Sequence, residues 1–399
     1  LVAINSTYAT LYTVDGALLP FLSVFLAYAH GLPPSRIGFV LAASSVASIV
    51  APPIASLLAD RYGRPKALFL VLLAASAVTL FVLTNVEGYW WVLVVYAAFS
   101  LVREPTRPLL DGIFFAAQRT YSTLAMVSYH RVRIWGTFGY MLPGVALYFL
   151  LRSDSQIRLV PLLACVLAVL SLVVALRLPS GERPEAADPA GTAADSPGSA
   201  RTARVDLPAL LRATSELLRQ PSTLVFLGGM FLLQVSMSAY FAFYPLLATD
   251  VVGLAPRWIG LVTNLGVGLE LGYMAAFGVL VRWFGWRWLT VLGAVGMGVR
   301  VVLLAAVPTL GVLVGTQVLH GLVIVVSMVA GRVILDRRAP DEIRHTTQGL
   351  YAMLVVGCGR IVGSALAGVI ASHSLAAVFW SAALAAGVAA LGLAWALRS

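Results

Sequence analysis

Several ionisable side chains stand inside long apolar stretches of this chain. The acids are Asp15, Glu104, Asp111 and Glu270. The bases are Arg103, Arg107, Arg133, Arg300 and Arg360, with Arg131 nearer a stretch end, and His320 is the one histidine in mid-stretch. In hydrocarbon such a group costs several kcal/mol unless it is paired or wet, so each is a functional candidate by default. The chemistry these types allow is proton transfer and the binding of polar or charged solutes. A carboxyl group in an apolar setting can take up and release a proton, and a nearby guanidinium opposes that uptake. An Arg fork matches a carboxylate in two parallel hydrogen bonds.

Their spacing sharpens this. Arg103, Arg107 and Asp111 follow one another at i, i+4 and i+8, on one helical stripe. Pro105 and Pro108 are expected to bend that helix and free backbone carbonyls. Asp111 and Arg133 both fall toward the inner ends of their helices. They are expected to pair or to hold a substrate between them, with a closed inner gate as the alternative. Glu270, Arg300 and His320 fall at similar depths in three successive helices. Glu270 is the expected proton carrier, against a permanent Glu270–Arg300 bridge. His320 would relay protons or donate to substrate, unless it is simply a satisfied core histidine. Asp15 has two readings, a pair with Arg360 across the molecule or a second proton site. Asn5, Tyr8, Tyr12, Gln234, Tyr240, Tyr244 and Asn264 could line a cavity, with helix packing as the alternative. Five central Arg face four acids, a balance that leans toward an anionic solute.

The elements that carry these groups follow from composition. Of 399 residues, 60% are hydrophobic and 11% charged, against about 25% charged in soluble domains. So apolar a chain excludes a cytosolic enzyme, a disulfide scaffold and a disordered protein. Cys165 and Cys358 are the only cysteines, so neither a disulfide framework nor a metal cluster is expected, and no cofactor is expected. Twelve stretches reach the roughly 20 residues needed to cross a bilayer. They are 3–29, 36–58, 66–84, 88–114, 129–150, 158–178, 222–247, 257–281, 287–307, 310–335, 345–370 and 374–397. They are too long and continuous for barrel strands. No cleavable signal peptide is evident, and Leu1 in place of Met points to a processed start.

The net charge of +10 comes from scattered Arg rather than a basic patch, which argues for membrane orientation and against a nucleic-acid partner. With the N-terminus inside, inner loops hold 17 basic residues and outer loops four, namely Arg36, Arg152, Arg158 and Arg257. Both termini are therefore expected in the cytoplasm. Trp90, Trp91, Trp283, Trp286 and Trp288 flank stretch ends and read as interface anchors.

The chain divides into a first half (1–178), a connection (179–221) and a second half (222–399). Pro179 to Arg204 reads as a flexible linker. After it, Asp206 and Pro208 could start an amphipathic helix presenting Leu207, Leu210, Leu211, Leu217 and Leu218. Gly31-Leu-Pro-Pro-Ser-Arg-Ile-Gly38 recurs as Gly253-Leu-Ala-Pro-Arg-Trp-Ile-Gly260, and Tyr62-Gly63 as Phe284-Gly285. The constant offset of 222 marks a duplication. Two like-oriented six-helix halves are the plan of a rocker-type carrier with its site between them.

Leu58-Ala-Asp60-Arg61-Tyr-Gly63-Arg64-Pro-Lys66 resembles the signature loop of the major facilitator superfamily. Gly63 would permit the tight turn, and Asp60 would cap or pair with Arg61 or Arg64 to lock the inner face. Pro108-Leu-Leu-Asp111 and Arg131-Val-Arg133-Ile-Trp135-Gly136-Thr-Phe-Gly139-Tyr140 resemble the lactose permease-like branch. So do Leu265-Gly-Val-Gly-Leu-Glu270, Gln317-Val-Leu-His320-Gly321 and Gln348-Gly-Leu-Tyr351. That branch includes nucleoside–proton symporters and phenylpropionic acid permeases. The resemblance implies an all-α fold of 12 transmembrane helices in two pseudo-symmetric halves. It also implies that Glu270, Arg300 and His320 match positions that serve substrate binding and proton coupling in the branch. Taken with the residue reading above, the expected proton-coupling residues are Glu270, Asp15, His320 and Asp111, and the expected substrate contacts are Asp111, Arg133, Arg107, Arg103, Arg300, Arg360, Tyr244, Gln317 and Asn264. Asp15, Arg360 and the charged trio Arg103, Glu104 and Arg107 depart from the pattern. The acid that follows the histidine by one turn in the lactose permease is here replaced by Val323 or Ile324, so that relay is not intact.

The function expected is proton symport of a small polar organic solute: an organic anion, a nucleoside or a sugar. Proton-driven export ranks second, because Gly136-Thr-Phe-Gly139-Tyr-Met-Leu-Pro143-Gly144 matches the exporters' span-5 motif only in part. A membrane enzyme has no catalytic motif to rest on. The expected partners are the solute, protons and lipid. The expected state is a monomer in a bacterial inner membrane.

Overall fold

The computed structural model describes residues 1–179, 215–340 and 343–398, the side chains of 344 and 345 excepted, and among them it is helical throughout with no strand. Among the described residues nine helices are long and apolar enough to cross a membrane. One of these, Pro256–Ala306, is two spans divided at Gly285, whose φ of 69° and ψ of 166° are not helical. Two further helices carry the densest charge. One is interrupted at Glu104-Pro105 into Tyr89–Arg103 and Thr106–Thr120, and the other, Tyr129–Leu150, opens with His130, Arg131 and Arg133. With these the expected twelve are complete.

In chain order the spans are α1 (Val2–Tyr28), α2 (Pro34–Tyr62), α3 (Pro65–Asn85), α4 (Tyr89–Arg103 and Thr106–Thr120), α5 (Tyr129–Leu150) and α6 (Asp154–Ala175). The second half repeats them as α7 (Pro221–Val251), α8 and α9 (256–284 and 286–306), α10 (Leu310–Arg338), α11 (Thr346–Ala371) and α12 (Leu375–Ala396). The 206–214 part of the proposed amphipathic helix lies outside the described residues. The last turn of that stretch is inside them, and Leu217 there packs with Ala339 and Ile343.

The duplication read from the loops is visible in the backbone. Gly31 and Gly253 turn with φ of 61° and 75°, and Gly63 and Gly285 with φ of 63° and 69°. Each pair is 222 apart, and each needs the left-handed conformation that glycine alone adopts freely. Gly63 ends α2 by donating its N–H to the Ala59 carbonyl.

The halves meet along two equivalent seams, α2 with α11 and α5 with α8. Both are glycine crossings near the face opposite the termini, here called the distal face. A Cβ on Gly38 would fall 2.6 Å from the Gly368 Cα, and one on Gly260 would fall 2.6 Å from the Gly144 Cα. Inside the first half, α1 packs on α5 and α6; inside the second, α7 packs on α12 and α11. Bulky apolar side chains such as Phe149 and Leu391, together with Trp90, Trp91, Trp283 and Trp288, are exposed on the outer surface. Bilayer lipid is the solvent that suits such a surface.

At the face bearing the termini, two basic side chains close helix ends. Lys66, the only lysine, donates from Nζ to the carbonyls of Leu176 and Leu178 at the end of α6. Arg338 donates to the Ala396 carbonyl at the end of α12 and to that of Ser222. Cations suit helix C-termini, where carbonyls lack intrahelical partners.

Candidate functional site

The intramembrane charges fall into two clusters, one per half. In the first, Asp15 of α1 is buried between two guanidiniums of α4. Arg103 donates through Nε to Oδ1 at 3.1 Å and through Nη2 to Oδ2 at 3.0 Å. Its Nη2 also donates to the Leu11 carbonyl. Arg107 adds a contact of 3.2 Å to Oδ2 and lies 3.7 Å from Glu104. The Arg103 side chain is 2% exposed and that of Arg107 32%. Arg107 thus joins a sealed ion pair to open space.

The break in α4 explains why these groups do not form the stripe expected from i, i+4 spacing. Helix stops at Arg103 and restarts at Thr106, so Asp111 leaves the line of the two arginines. Asp111 does not pair with Arg133 either. Its Oδ1 accepts a hydrogen bond of 2.5 Å from the Tyr8 phenol of α1, and the Tyr129 phenol of α5 lies within electrostatic reach of it. Arg133 lies over the Tyr12 ring at 4.2 Å, and Arg107 over the other reach of the same ring at 5.7 Å. Gly136 makes this stack possible, because a Cβ there would meet both Tyr12 and Arg133 Nη1. Among the described residues no carboxylate stands within 4.0 Å of Arg133 or Arg360. The proposed Asp15–Arg360 pair is therefore replaced by Asp15 with Arg103 and Arg107.

In the second half Arg300 of α9 is 1% exposed and, among the described residues, has no acid within 4.0 Å. It donates through Nη2 to the Tyr240 hydroxyl at 2.5 Å and to Gln317 Oε1 at 2.7 Å, and its guanidinium covers the Tyr240 ring at 4.0 Å. Gln317 in turn donates through Nε2 to the Tyr244 hydroxyl at 2.7 Å. Arg300 Nη1 lies 3.2 Å from His320 Nδ1. Guanidinium has only donors, so Nδ1 must be the accepting nitrogen and the neutral ring carries its proton on Nε2. Nε2 faces Glu270 Oε2 at 3.6 Å. The direct Glu270–Arg300 bridge is not formed, because the imidazole stands between them. Gly321 and Gly266 let α8 come this close to α10: a Cβ on the first would press on Glu270 and Tyr273, and one on the second on Gln317 and His320. The Glu270 side chain is 22% exposed, so it is not sealed as Asp15 is.

Asn264 makes a packing contact, the alternative reading of this residue. Its Nδ2 donates to the Met141 carbonyl at 2.7 Å, stitching α8 to α5 across the halves. Asp60, Arg61 and Arg64 are exposed, and no pairing of Asp60 with either arginine is formed among the described residues; Arg61 leans on the Tyr62 ring at 5.9 Å instead. The residue of that loop with a firm contact is Lys66. Sequence reading overlooked Tyr129 and Tyr140. Tyr140 of α5 lies within electrostatic reach of both Asp15 and Glu270. Nothing in its spacing marks it, since its position depends on the close approach of α1 at Gly16.

Two duplicated six-helix bundles that enclose ionisable groups at their interface define a secondary carrier rather than an enzyme. The chain belongs to the MFS_1 like family, whose model matches residues 1–382. It is 26% identical to YegT of Escherichia coli (strain K12), provisionally named a nucleoside transporter, over 85% of this chain and 77% of that one. It is also 26% identical to the maltose permease of Geobacillus stearothermophilus, over 88% of this chain and 83% of the permease. A crystal structure of the nucleoside transporter NupG superposes with a TM-score of 0.81 at 17% identity, covering 100% of this chain and 99% of that one. The protein is an integral, multi-pass membrane transporter.

Proposed function

We propose that the chain is a proton symporter for a small polar organic solute, an organic anion, nucleoside or sugar, working by alternating access between residues 1–178 and 222–399. The observation that carries this reading is the Arg300–His320–Glu270 chain. Arg300 is held by neutral acceptors, and Glu270 is partly exposed with no Arg or Lys within 4.0 Å among the described residues. A carboxylate so placed can be protonated without breaking a buried ion pair. Glu270 is the proton carrier, His320 orients it, and Asp111 and Asp15 are held by Tyr8 and by arginine respectively. Arg133, with Arg107 and Arg360, supplies the cations toward which a polar or anionic group on the solute would turn. The ring of Tyr12 and the hydroxyl of Tyr244 add stacking and hydrogen bonding. The excess of basic residues at the face bearing the termini supports a cytoplasmic position for both ends, in a bacterial inner membrane and as a monomer.

Uptake into proteoliposomes tests this. Labelled aryl carboxylates, nucleosides and sugars are offered with and without an inward proton gradient. Accumulation of one class only with the gradient is expected, and Glu270→Gln is expected to abolish it while leaving exchange of unlabelled for labelled solute. Gradient-driven accumulation that survives Glu270→Gln removes this carrier assignment. Accumulation that appears only with the gradient reversed makes the protein an exporter.

A further inference from the structure

Tyr28 ends α1 and Asp250 lies at the end of α7, and the two are 222 residues apart. That is the offset of the duplicated loops, so they occupy equivalent positions in the two halves. Equivalent positions near a pseudo-two-fold axis face each other, and here the residues differ: one half supplies a donor, the other an acceptor. The Tyr28 phenol donates to Asp250 Oδ1 at 2.6 Å. Thr249 donates to the same oxygen at 2.7 Å, which holds the carboxylate in place. The four ion pairs described all stay within one half. Among the hydrogen bonds described, the side chains that reach across the halves are Tyr28, to a carboxylate, and Asn264, to a backbone carbonyl.

We propose that Tyr28 and Asp250 form a latch on the distal face, which must open whenever the halves part there and which acid on that side weakens. A phenol bound to an ionised carboxylate makes a charge-assisted bond about twice as strong as a neutral one. Protonating Asp250 removes that excess and favours opening toward the acidic side. The charged groups nearby are Asp154 and Arg158 at the start of α6 and His30 after α1. Arg158 donates to the Ala29 carbonyl beside Tyr28. Burial, and then Arg158, hold the His30 imidazole below its usual range, while Glu87 after α3 opposes them. Arg257 of α8 lies over Tyr148 rather than over the carboxylate. The latch does not depend on which solute is carried.

The test is a distance measurement between spin labels at Ser35→Cys and Ser372→Cys, at the distal ends of α2 and α11. It uses the full chain in lipid nanodiscs with Cys165 and Cys358 replaced by Ser. Tyr28→Phe and Asp250→Asn are each expected to raise the ratio of separated to closed halves about tenfold, the effect of one hydrogen bond to a charged group. The double variant is expected to add nothing further, and acid is expected to open the parent protein but not Asp250→Asn. Exchanging the pair, Tyr28→Asp with Asp250→Tyr, is expected to restore the closed distribution, because the positions are equivalent. Unchanged distances in both single variants, additive shifts in the double, or an exchanged pair that stays open would overturn the latch.

Discussion

Asp15 and Glu270 are both intramembrane carboxylates near arginine, yet their surroundings differ in kind. Asp15 touches two guanidiniums directly and is sealed. Glu270 meets its arginine only through His320 and stays partly exposed. The first arrangement suits a permanent tie between α1 and α4, since removing either charge strands the other in a medium that cannot solvate it. The second leaves a carboxylate whose charge can change without stranding Arg300, which Tyr240 and Gln317 hold independently. Direct contact fixes a charge; an interposed neutral group frees one.

The contrast can be broken most sharply on the Asp15 side. Asp15→Asn is expected to cost about 3–5 kcal/mol in stability, because Arg103 would stay buried without its anion. Denaturant or thermal unfolding in mild detergent measures this. Glu270→Gln should unfold within a few degrees of the parent while losing gradient-driven uptake, so stability and transport separate between the two acids. A loss of stability like that of Asp15→Asn would erase the distinction. His320→Gln comes next, with uptake expected to fall about threefold to tenfold, the scale of one buried hydrogen bond. The pH dependence of its uptake is expected to move, which simple loss of packing would not cause. The smallest effects fall on Tyr12. Tyr12→Ala is expected to weaken solute affinity about fivefold by removing the face under Arg133, while Tyr12→Phe keeps that face and stays within about twofold. Equilibrium binding to the purified protein reads both.

The spans, their number and the duplication were legible because each rests on a property of the chain alone: run length, charge in loops and a repeated glycine turn. Part of the candidate cluster was legible too, since Glu270, Arg300, His320, Gln317 and Tyr244 do converge. What failed were pairings. Arg103, Arg107 and Asp111 share a stripe only if α4 is continuous, and Pro105 breaks it between the first and second of them. Asp111 has two phenols within reach, and no spacing rule foretells that Tyr8 outcompetes Arg133. A membrane helix that is apolar on every side carries no periodic signal to say which way a residue faces. The offset of 222 would have pointed to Tyr28 and Asp250 had it been applied beyond the loops.

Lys66 also has a mechanical consequence. By holding the last carbonyls of α6, it ties the start of the connection to the first turn of α3, the turn that follows the signature loop. The end of α6 therefore cannot fray by itself: releasing its last carbonyls means pulling Lys66 away from them, so the lysine acts as a rivet between α3 and α6.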